Sequence, residues 1–188
     1  MKIYIKNMVC ARCKMVVKSE LTKLDIHYKT TNLGEVETTN NIASDRLKLL
    51  DNNLRQYGLE LIENRKDILV EKIKTAIIEL IHHSDEQLKI NLSDFLSGKL
   101  NCNYTYLSNI FSEVQGASIE KFYILHKIER VKELLVYNEL NLKEISFITH
   151  YSSVGHLSNQ FKKTTGLAPS QFRHLQYKNR LSLEQVSC

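Results

Sequence analysis

Residues 107–111 read LSNIF, and residues 157–161 read LSNQF. Each pentapeptide is followed, at the same spacing, by a glycine and then a phenylalanine: Gly116 and Phe122 in the first copy, Gly166 and Phe172 in the second. The two copies, residues 91–122 and 141–172, are offset by 50 positions, which indicates a duplicated supersecondary unit. Each copy predicts a short helix, a turn, an amphipathic second helix and a glycine stop. This layout is typical of a helix-turn-helix.

The second helix of each copy has an apolar face and a polar face. Leu107, Ile110 and Phe111 share the apolar face in the first copy, and Leu157 and Phe161 share it in the second. The polar faces carry mostly short hydrogen-bonding side chains: Thr105, Tyr106, Ser108, Asn109 and Ser112 in the first copy, and Gly155, His156, Ser158, Asn159, Lys162 and Lys163 in the second. Asn bonds adenine bidentately, Ser and Thr reach several base edges, and Lys meets phosphate or guanine. A solvated helix face explains any one of these residues, but the repeated surface favours DNA contact.

Charge is distributed unevenly along the 188 residues. Lys plus Arg number 26 against 21 Asp plus Glu, a mild basic excess for a chain of one or two domains. Residues 145–180 contain no Asp or Glu, but they contain Lys162, Lys163, Arg173, Lys178 and Arg180. This stretch includes the second copy of the repeat, so it predicts a surface that faces phosphates. A solvated charged tail is the alternative.

The pattern before the repeats differs and predicts an α+β chain. Strand and helix signals alternate over the first 65 residues in the order βαββαβ: strand 2–7, helix 13–24, strands 26–33 and 35–39 around Gly34, a helix capped by Ser44 or Asp45 and stopped by Gly58, and strand 59–63. This order predicts a ferredoxin-like domain at residues 1–65. Residues 66–188 read as an all-α domain, with a long helix at about 118–137 joining the two helix-turn-helix units. The join at 64–68 lacks Pro and Gly, so we expect a change in the ferredoxin-like domain to be mechanically coupled to the helical domain.

The C-terminal part, about residues 68–176, resembles the DNA-binding domain of the AraC/XylS transcription regulators. The resemblance rests on LKEI at 142–145, on YSS at 151–153 followed by HLSNQFKK at 156–163, and on TGLAPSQFR at 165–173. It implies seven helices, with recognition helices entering successive major-groove segments. The base-facing positions that it implies are Thr105, Ser108, Asn109, Val154, Gly155, Ser158 and Asn159. A helical wheel agrees except at Val154, which it makes half-buried.

The two turns depart from that family pattern. The family usually has Gly before the aromatic residue of the second turn, where this sequence has His150 before Tyr151. The matching position of the first unit is Leu100. If both turns need a positive φ, we expect strain at Leu100, because leucine adopts that conformation poorly.

The sequence Cys10-Ala11-Arg12-Cys13 follows a predicted strand and opens a helix. A structural zinc site needs four ligands, and the chain has no second CxxC. A thioredoxin-like site normally has a nearby cis-proline, and this domain has no proline. Two thiolates suffice for a soft ion such as Cu(I), so Cys10 and Cys13 are the candidate metal ligands. We expect the helix N-terminus and Arg12 to lower the thiol pKa values.

The first 65 residues resemble a heavy-metal-associated domain of copper chaperones and metal-transporting ATPases. The resemblance rests on NMVCARC at 7–13, on the following Val16-Val17 and on the βαββαβ order. Asn7 replaces the family's usual Gly, and Leu59 replaces a basic residue that often screens the ion. Both departures argue against copper trafficking and leave sensing open. The alternatives are a thiol sensor that forms a disulfide, and a metal-free descendant in which Cys10 and Cys13 only pack.

These observations predict a sequence-specific DNA-binding transcription regulator that binds double-stranded DNA and responds to a soft metal ion or thiol redox state. RNA polymerase is a further partner to expect of a regulator. The alternative is a copper-chaperone-like metal carrier with a helical protein-interaction domain. The sequence shows no paired carboxylates, catalytic triad or phosphate loop that would indicate an enzyme. No apolar run approaches membrane-spanning length, and no signal peptide or secreted disulfide framework is evident, so we expect a cytoplasmic protein.

Overall fold

The computed structural model of the protein describes residues 1–82, 90–175 and 186. The chain forms two compact units, Met1–Thr75 and Ala76–Cys188, here named the sheet unit and the helical unit. Lys178 and Arg180, the end of the predicted basic stretch, lie outside the described residues. None of the helices described is both long enough and apolar enough to span a membrane.

The sheet unit contains a four-stranded antiparallel sheet and two helices in the predicted order. Its elements are β1 (Lys2–Lys6), α1 (Ala11–Lys23), β2 (Tyr28–Asn32), β3 (Glu35–Thr38), α2 (Ser44–Arg55) and β4 (Glu60–Ile62). The strands lie in the order β2-β3-β1-β4, and each neighbouring pair is antiparallel. The α+β class is confirmed.

Alternation in β1 and helical periodicity in α1 and α2 create the core of the sheet unit. Ile3 and Ile5 lie two residues apart in β1, so their side chains leave the sheet on the same face and are both buried. They pack with residues of the two helices, including Val17, Leu21 and Leu54. Burial of these apolar side chains against the sheet is the main favourable contribution to the stability of the unit.

The start of α2 differs from the prediction. Ala43 is the N-cap, with extended backbone and no capping hydrogen bond from its side chain, whereas Ser44 and Asp45 lie within the first turn. The prediction of a Ser44 or Asp45 cap is therefore wrong. Asp45 can stabilise the helix from this position through its charge, because the first turn carries the positive end of the helix dipole.

The helical unit is built from the two predicted helix-turn-helix units and the helices around them. The elements are α3 (Arg65–His82), which crosses the boundary between the compact units, α4 (Leu92–Leu100), α5 (Tyr104–Gln115), α6 (Ile119–Tyr137), α7 (Leu142–Ile148), α8 (Val154–Thr165) and α9 (Pro169–Arg173). Helices α4 and α5 form the first unit, α7 and α8 form the second, and α6 is the long helix between them.

The phenylalanines of the sequence repeat form equivalent pairs in the structure. Phe111 and Phe122 have ring centroids 5.6 Å apart at an interplanar angle of 66°. Phe161 and Phe172, fifty residues later, are 5.5 Å apart at 74°. Both pairs are edge-on contacts, a favoured arrangement of aromatic rings. The repeat is thus one packing solution used twice, and the predicted inward faces of α5 and α8 are buried.

The two turns differ in length. Asn101 has a φ of 50° directly after α4, two residues before the N-cap Asn103. In the second unit His150 has a φ of 57°, three residues before the N-cap Ser153. The left-handed residue of the first turn is therefore Asn101, and the strain expected at Leu100 is absent because Leu100 is the last residue of α4. Asparagine tolerates a positive φ better than leucine does.

Candidate nucleic-acid interface

Helices α5 and α8 begin and end in the same way. Each has a short polar side chain at its N-cap: Asn103 accepts a hydrogen bond from the backbone N–H of Thr105 at 2.9 Å, and Ser153 accepts one from that of His156 at 3.1 Å. Each ends at a glycine with left-handed backbone, Gly116 with a φ of 69° and Gly166 with a φ of 80°. These signals fix the length of both helices at 12 residues.

The polar side of α5, here called the α5 face, is accessible. It consists of Thr105, Tyr106, Ser108, Asn109 and Ser112, all exposed except the half-buried Ser108. Tyr106 is 54% exposed, so a large aromatic ring stands at the surface near the start of the helix. None of the five residues carries a positive charge, and Glu113 beside them is acidic.

The corresponding α8 face has the same shape of polar surface but a different charge. It consists of Val154, Gly155, His156, Ser158, Asn159, Lys162 and Lys163, all exposed except the half-buried Val154 and Ser158. The burial of Val154 agrees with the helical wheel. Two lysines stand on this face, in a stretch whose described residues, 145–175, include no carboxylate side chain. The α8 face is therefore electropositive, whereas the α5 face is close to neutral.

Arg173, a predicted DNA contact, is engaged within the protein. It is half-buried near the end of α9, and its Nη2 donates a hydrogen bond to the backbone carbonyl of Leu140 at 2.8 Å. The guanidinium thus fastens α9 to the loop before α7. A role at the DNA surface would have to use the remaining donors of the side chain.

Sequence reasoning missed a buried lysine beneath the turn of the second unit. Lys127 of α6 is 5% exposed, and its Nζ donates to the backbone carbonyl of His150 at 3.0 Å. The same ammonium lies 3.7 Å from the ring centroid of Tyr151 and 5.2 Å from that of Tyr123. Burial lowers the pKa of Lys127 to about 8. The adjoining apolar residue Ile128 is a local signal for this burial. It does not suffice to predict it, because a lysine in an apolar helix usually keeps its ammonium group in solvent.

Tyr151, one of the two turn residues that contact Lys127, also contacts His156 of the α8 face. The rings of Tyr151 and His156 meet edge-on, with centroids 5.3 Å apart and an interplanar angle of 86°. The Oγ of Ser152 lies 3.1 Å from Nδ1 of His156, a hydrogen bond whose donor depends on the imidazole tautomer. His156 is exposed but held on two sides by its neighbours.

Cys10 and Cys13 come together at the start of α1. Their Sγ atoms are 3.1 Å apart, and Cys10 is the N-cap, whose sulfur accepts a hydrogen bond from the backbone N–H of Cys13 at 3.4 Å. Both side chains are partly exposed, while Met8 beneath the loop is buried. Among the described residues, no three His, Cys, Asp or Glu side chains converge on a metal-sized space. The pair can therefore offer two thiolates to a soft ion, but it lacks the four ligands of structural zinc within the described chain.

The loop that carries the two cysteines is fixed by Asn7. Asn7 has a φ of 63°, its Nδ2 donates to the carbonyl of Gly58 at 3.0 Å, and its backbone N–H donates to Glu71 Oε2 at 3.3 Å. Its own carbonyl lies 3.8 Å from the Cys13 sulfur. Asparagine thus takes the left-handed conformation for which glycine is the usual choice, and it adds a side-chain tether.

The electrostatic expectation for Cys13 is wrong. Burial, and then the hydrogen bond with Cys10, raises the pKa of the Cys13 thiol above its usual value. The lowering expected from the helix N-terminus and Arg12 does not dominate, because the thiolate form of Cys13 would be desolvated beside a second sulfur.

Comparison with known proteins finds a match that covers both α5 and α8. Residues 96–174 match the family model described as a helix-turn-helix domain. A Bacillus subtilis (strain 168) protein, the uncharacterized HTH-type transcriptional regulator YtdP, is 28% identical over 112 residues, 60% of this chain. The chain spans 14% of the length of that relative. The matched model describes a helix-turn-helix domain and the relative is named as a transcriptional regulator, and neither description is that of an enzyme, in agreement with the prediction.

Solved structures resemble the helical part of the chain. The C-terminal domain of AraT, a response regulator from Geobacillus stearothermophilus, is 25% identical and superposes with a TM-score of 0.52 over 63% of this chain and 92% of that domain. The C-terminal domain of the two-component response regulator yesN from Fusobacterium nucleatum is 29% identical, with a TM-score of 0.48 over 55% of this chain and 99% of that domain.

Proposed function

We propose that residues 96–174, which match a helix-turn-helix domain, form a DNA-binding domain of the AraC type, and that the chain is a sequence-specific transcription regulator of double-stranded DNA. The observation that carries the proposal is the pair of equivalent recognition helices, α5 and α8, each with an exposed hydrogen-bonding face. Contact with RNA polymerase and action in the cytoplasm follow as further parts of the same proposal.

The chemistry of the two faces supports major-groove reading. Asn109 and Asn159 occupy equivalent exposed positions, and an asparagine amide can bond the N6 and N7 edge of adenine bidentately. Thr105, Ser112 and Ser158 add hydroxyl groups that can donate or accept. Lys162 and Lys163 lie one turn further along α8, where they would meet phosphate. Two recognition helices in one chain would read two groove segments without requiring a dimer.

We predict that the two asparagines read different parts of one DNA site. The full chain is first used to enrich duplexes from a random-sequence pool, and affinities for the enriched duplex are then measured for Asn109→Ala and Asn159→Ala. The affinity of each variant for the enriched duplex should be about tenfold lower, because a bidentate base contact contributes about 1–3 kcal/mol of binding free energy. Each should also relax the base preference at a different position of the site.

The matched control is Asn52→Ala, which removes an exposed asparagine from α2 of the sheet unit and should leave affinity and preference unchanged. Failure of the wild-type chain to enrich any duplex would contradict the proposed function. Enrichment followed by unchanged preferences in both variants would contradict the assigned asparagine contacts.

For the sheet unit we propose a ferredoxin-like fold and a soft-ion or thiol-sensing role. The strand order β2-β3-β1-β4, antiparallel throughout, and the βαββαβ element order support the fold. The approach of the Cys10 and Cys13 sulfurs to 3.1 Å supports a site for a soft metal ion such as Cu(I), or for a reversible disulfide. A metal carrier with a protein-interaction domain is the weaker alternative, because the helical unit is of a DNA-binding type.

We predict one equivalent of tightly bound Cu(I), measured by competitive titration of the fully reduced chain, that is lost in Cys10→Ser/Cys13→Ser. A parallel Zn(II) titration should show weaker binding, since two sulfurs leave the tetrahedral shell incomplete. Cys102→Ser is the matched control, because it removes a partly exposed thiol in the helical unit. Cysteine-independent Cu(I) binding would contradict the metal site and leave the disulfide alternative, to be tested by the same variants under an oxidising glutathione buffer.

A further inference from the structure

We propose that Lys127 is a positioning residue for DNA recognition, which sets the orientation of the His156 side chain through the turn of the second helix-turn-helix unit. The inference rests on the proposed function, since it assigns His156 a contact with DNA. Lys127 lies in α6, away from the α8 face, and outside the residues on which the family resemblance rests.

The first step is the anchoring of the turn by Lys127. Its ammonium bonds the His150 carbonyl at 3.0 Å and lies 3.7 Å from the centroid of the Tyr151 ring. An ammonium with a carbonyl on one side and aromatic faces on others restricts both partners, because the hydrogen bond and the cation–π contact each prefer a defined geometry. His150 has left-handed backbone, so the carbonyl that Lys127 holds belongs to the residue at which the chain reverses.

The second step leads from the turn to the DNA-facing side chain. The Tyr151 ring meets the His156 ring edge-on at 5.3 Å, and Ser152 Oγ lies 3.1 Å from His156 Nδ1. Two consecutive turn residues therefore fix the imidazole of an exposed residue. When Nδ1 is engaged by Ser152, Nε2 is the ring nitrogen left to a base or phosphate.

The cost of keeping a charge in this place argues for a specific geometry. Burying an ammonium is unfavourable, and an apolar side chain of similar volume is often no less stabilising than a buried charge. What methionine at position 127 could not do is bind the His150 carbonyl. The lysine therefore contributes orientation more than stability, and preorganised contacts bind more tightly because less freedom is lost on association.

The first unit lacks this arrangement. The position fifty residues before Lys127 is Ile77, which is buried and carries no ammonium, and in the shorter first turn Asn101 takes the place of His150. Tyr106 takes the place of His156. Ile77→Met is therefore a control for Lys127→Met, since it introduces the same side chain at a buried helical position that holds no charge.

The test is a double-mutant cycle with the duplex that the wild-type chain enriches. We expect His156→Ala to weaken binding about tenfold and Lys127→Met about fivefold, within the usual range for one oriented contact. If Lys127 acts through His156, the double variant should bind within about twofold of His156→Ala alone. Full addition of the two losses, to about fiftyfold, would overturn the proposal.

A second variant and a second readout cover the case in which Lys127→Met does not fold. Ser152→Ala removes an exposed hydroxyl, and it should weaken binding only in a chain that retains His156. In the free protein, nuclear magnetic resonance of the imidazole groups should show the His156 signals shifted by Ser152→Ala and by Lys127→Met, and unshifted by Ile77→Met. Unmoved His156 signals in Ser152→Ala would overturn the positioning even if the chain binds DNA, whereas shifted signals without enrichment of any duplex would count against the proposed function alone.

Discussion

Replacing Phe161 with alanine is expected to destabilise the second helix-turn-helix unit by about 3–5 kcal/mol. Phe161 is fully buried, and its ring meets Phe172 of α9 edge-on at 5.5 Å. Truncation removes the transfer free energy of the ring and leaves a cavity between α8 and α9 that the surrounding helices can close only in part. Since typical domains are stable by about 5–15 kcal/mol, the unit would lose a large part of its margin, and DNA binding would fall with the folded fraction.

The measurement is urea denaturation followed by circular dichroism on the full chain. Phe111→Ala is the counterpart in the first unit, where the ring is equally buried and pairs with Phe122, so it should cost a similar free energy. Phe147→Ala is the negative control, because that ring is 58% exposed. A loss below about 1 kcal/mol for Phe161→Ala would contradict the packing described here.

Replacing Lys162 and Lys163 together with glutamine is expected to weaken DNA binding roughly fiftyfold at 0.1 M salt. Each lysine that neutralises a phosphate releases counterions and adds about 0.9 to the slope of log affinity against log salt concentration. The double variant should therefore have a slope that is shallower by about 1.8. The measurement is a series of fluorescence-anisotropy titrations between 50 and about 200 mM salt, the range over which such contacts dominate.

The lysine control removes the same charge from elsewhere in the chain. Lys18→Gln/Lys48→Gln changes two exposed lysines of the sheet unit and should leave the slope unchanged. Equal effects of the two double variants would show that net charge, and not contact at α8, sets the affinity. The α5 face offers no cation for the equivalent experiment, so its substitutions should alter base preference with little change in slope.

The parts of the fold that depend on local periodicity could be predicted from the sequence. Apolar spacing placed the inward residues of α5 and α8 correctly, because an amphipathic helix shows its buried face in its own sequence. The repeat also predicted that α5 and α8 each end at a glycine, followed at the same spacing by a phenylalanine. Strand alternation predicted the βαββαβ order in the same way.

Features that depend on contacts between distant elements could not be predicted. Lys127 is held by residues 23 and 24 positions away, so nothing near it in the sequence reveals that its ammonium is buried. The raised pKa of Cys13 depends on how deeply its thiol packs, which competes with the helix N-terminus in a way that spacing does not reveal. The left-handed residue of the first turn was predicted wrongly because a fixed offset of 50 positions aligned Leu100 with His150. The first turn is shorter, and its residue with a positive φ is Asn101.

The difference between the α5 face and the α8 face has a consequence for how the chain would lie on DNA. A neutral face and an electropositive face, carried on turns of unequal length, cannot be exchanged by rotating the protein on the duplex. If the proposed function holds, the DNA site would be asymmetric, and the protein would bind it in a single orientation along the duplex. Reversing the site in front of a promoter would then present the opposite end of the protein to whatever binds next.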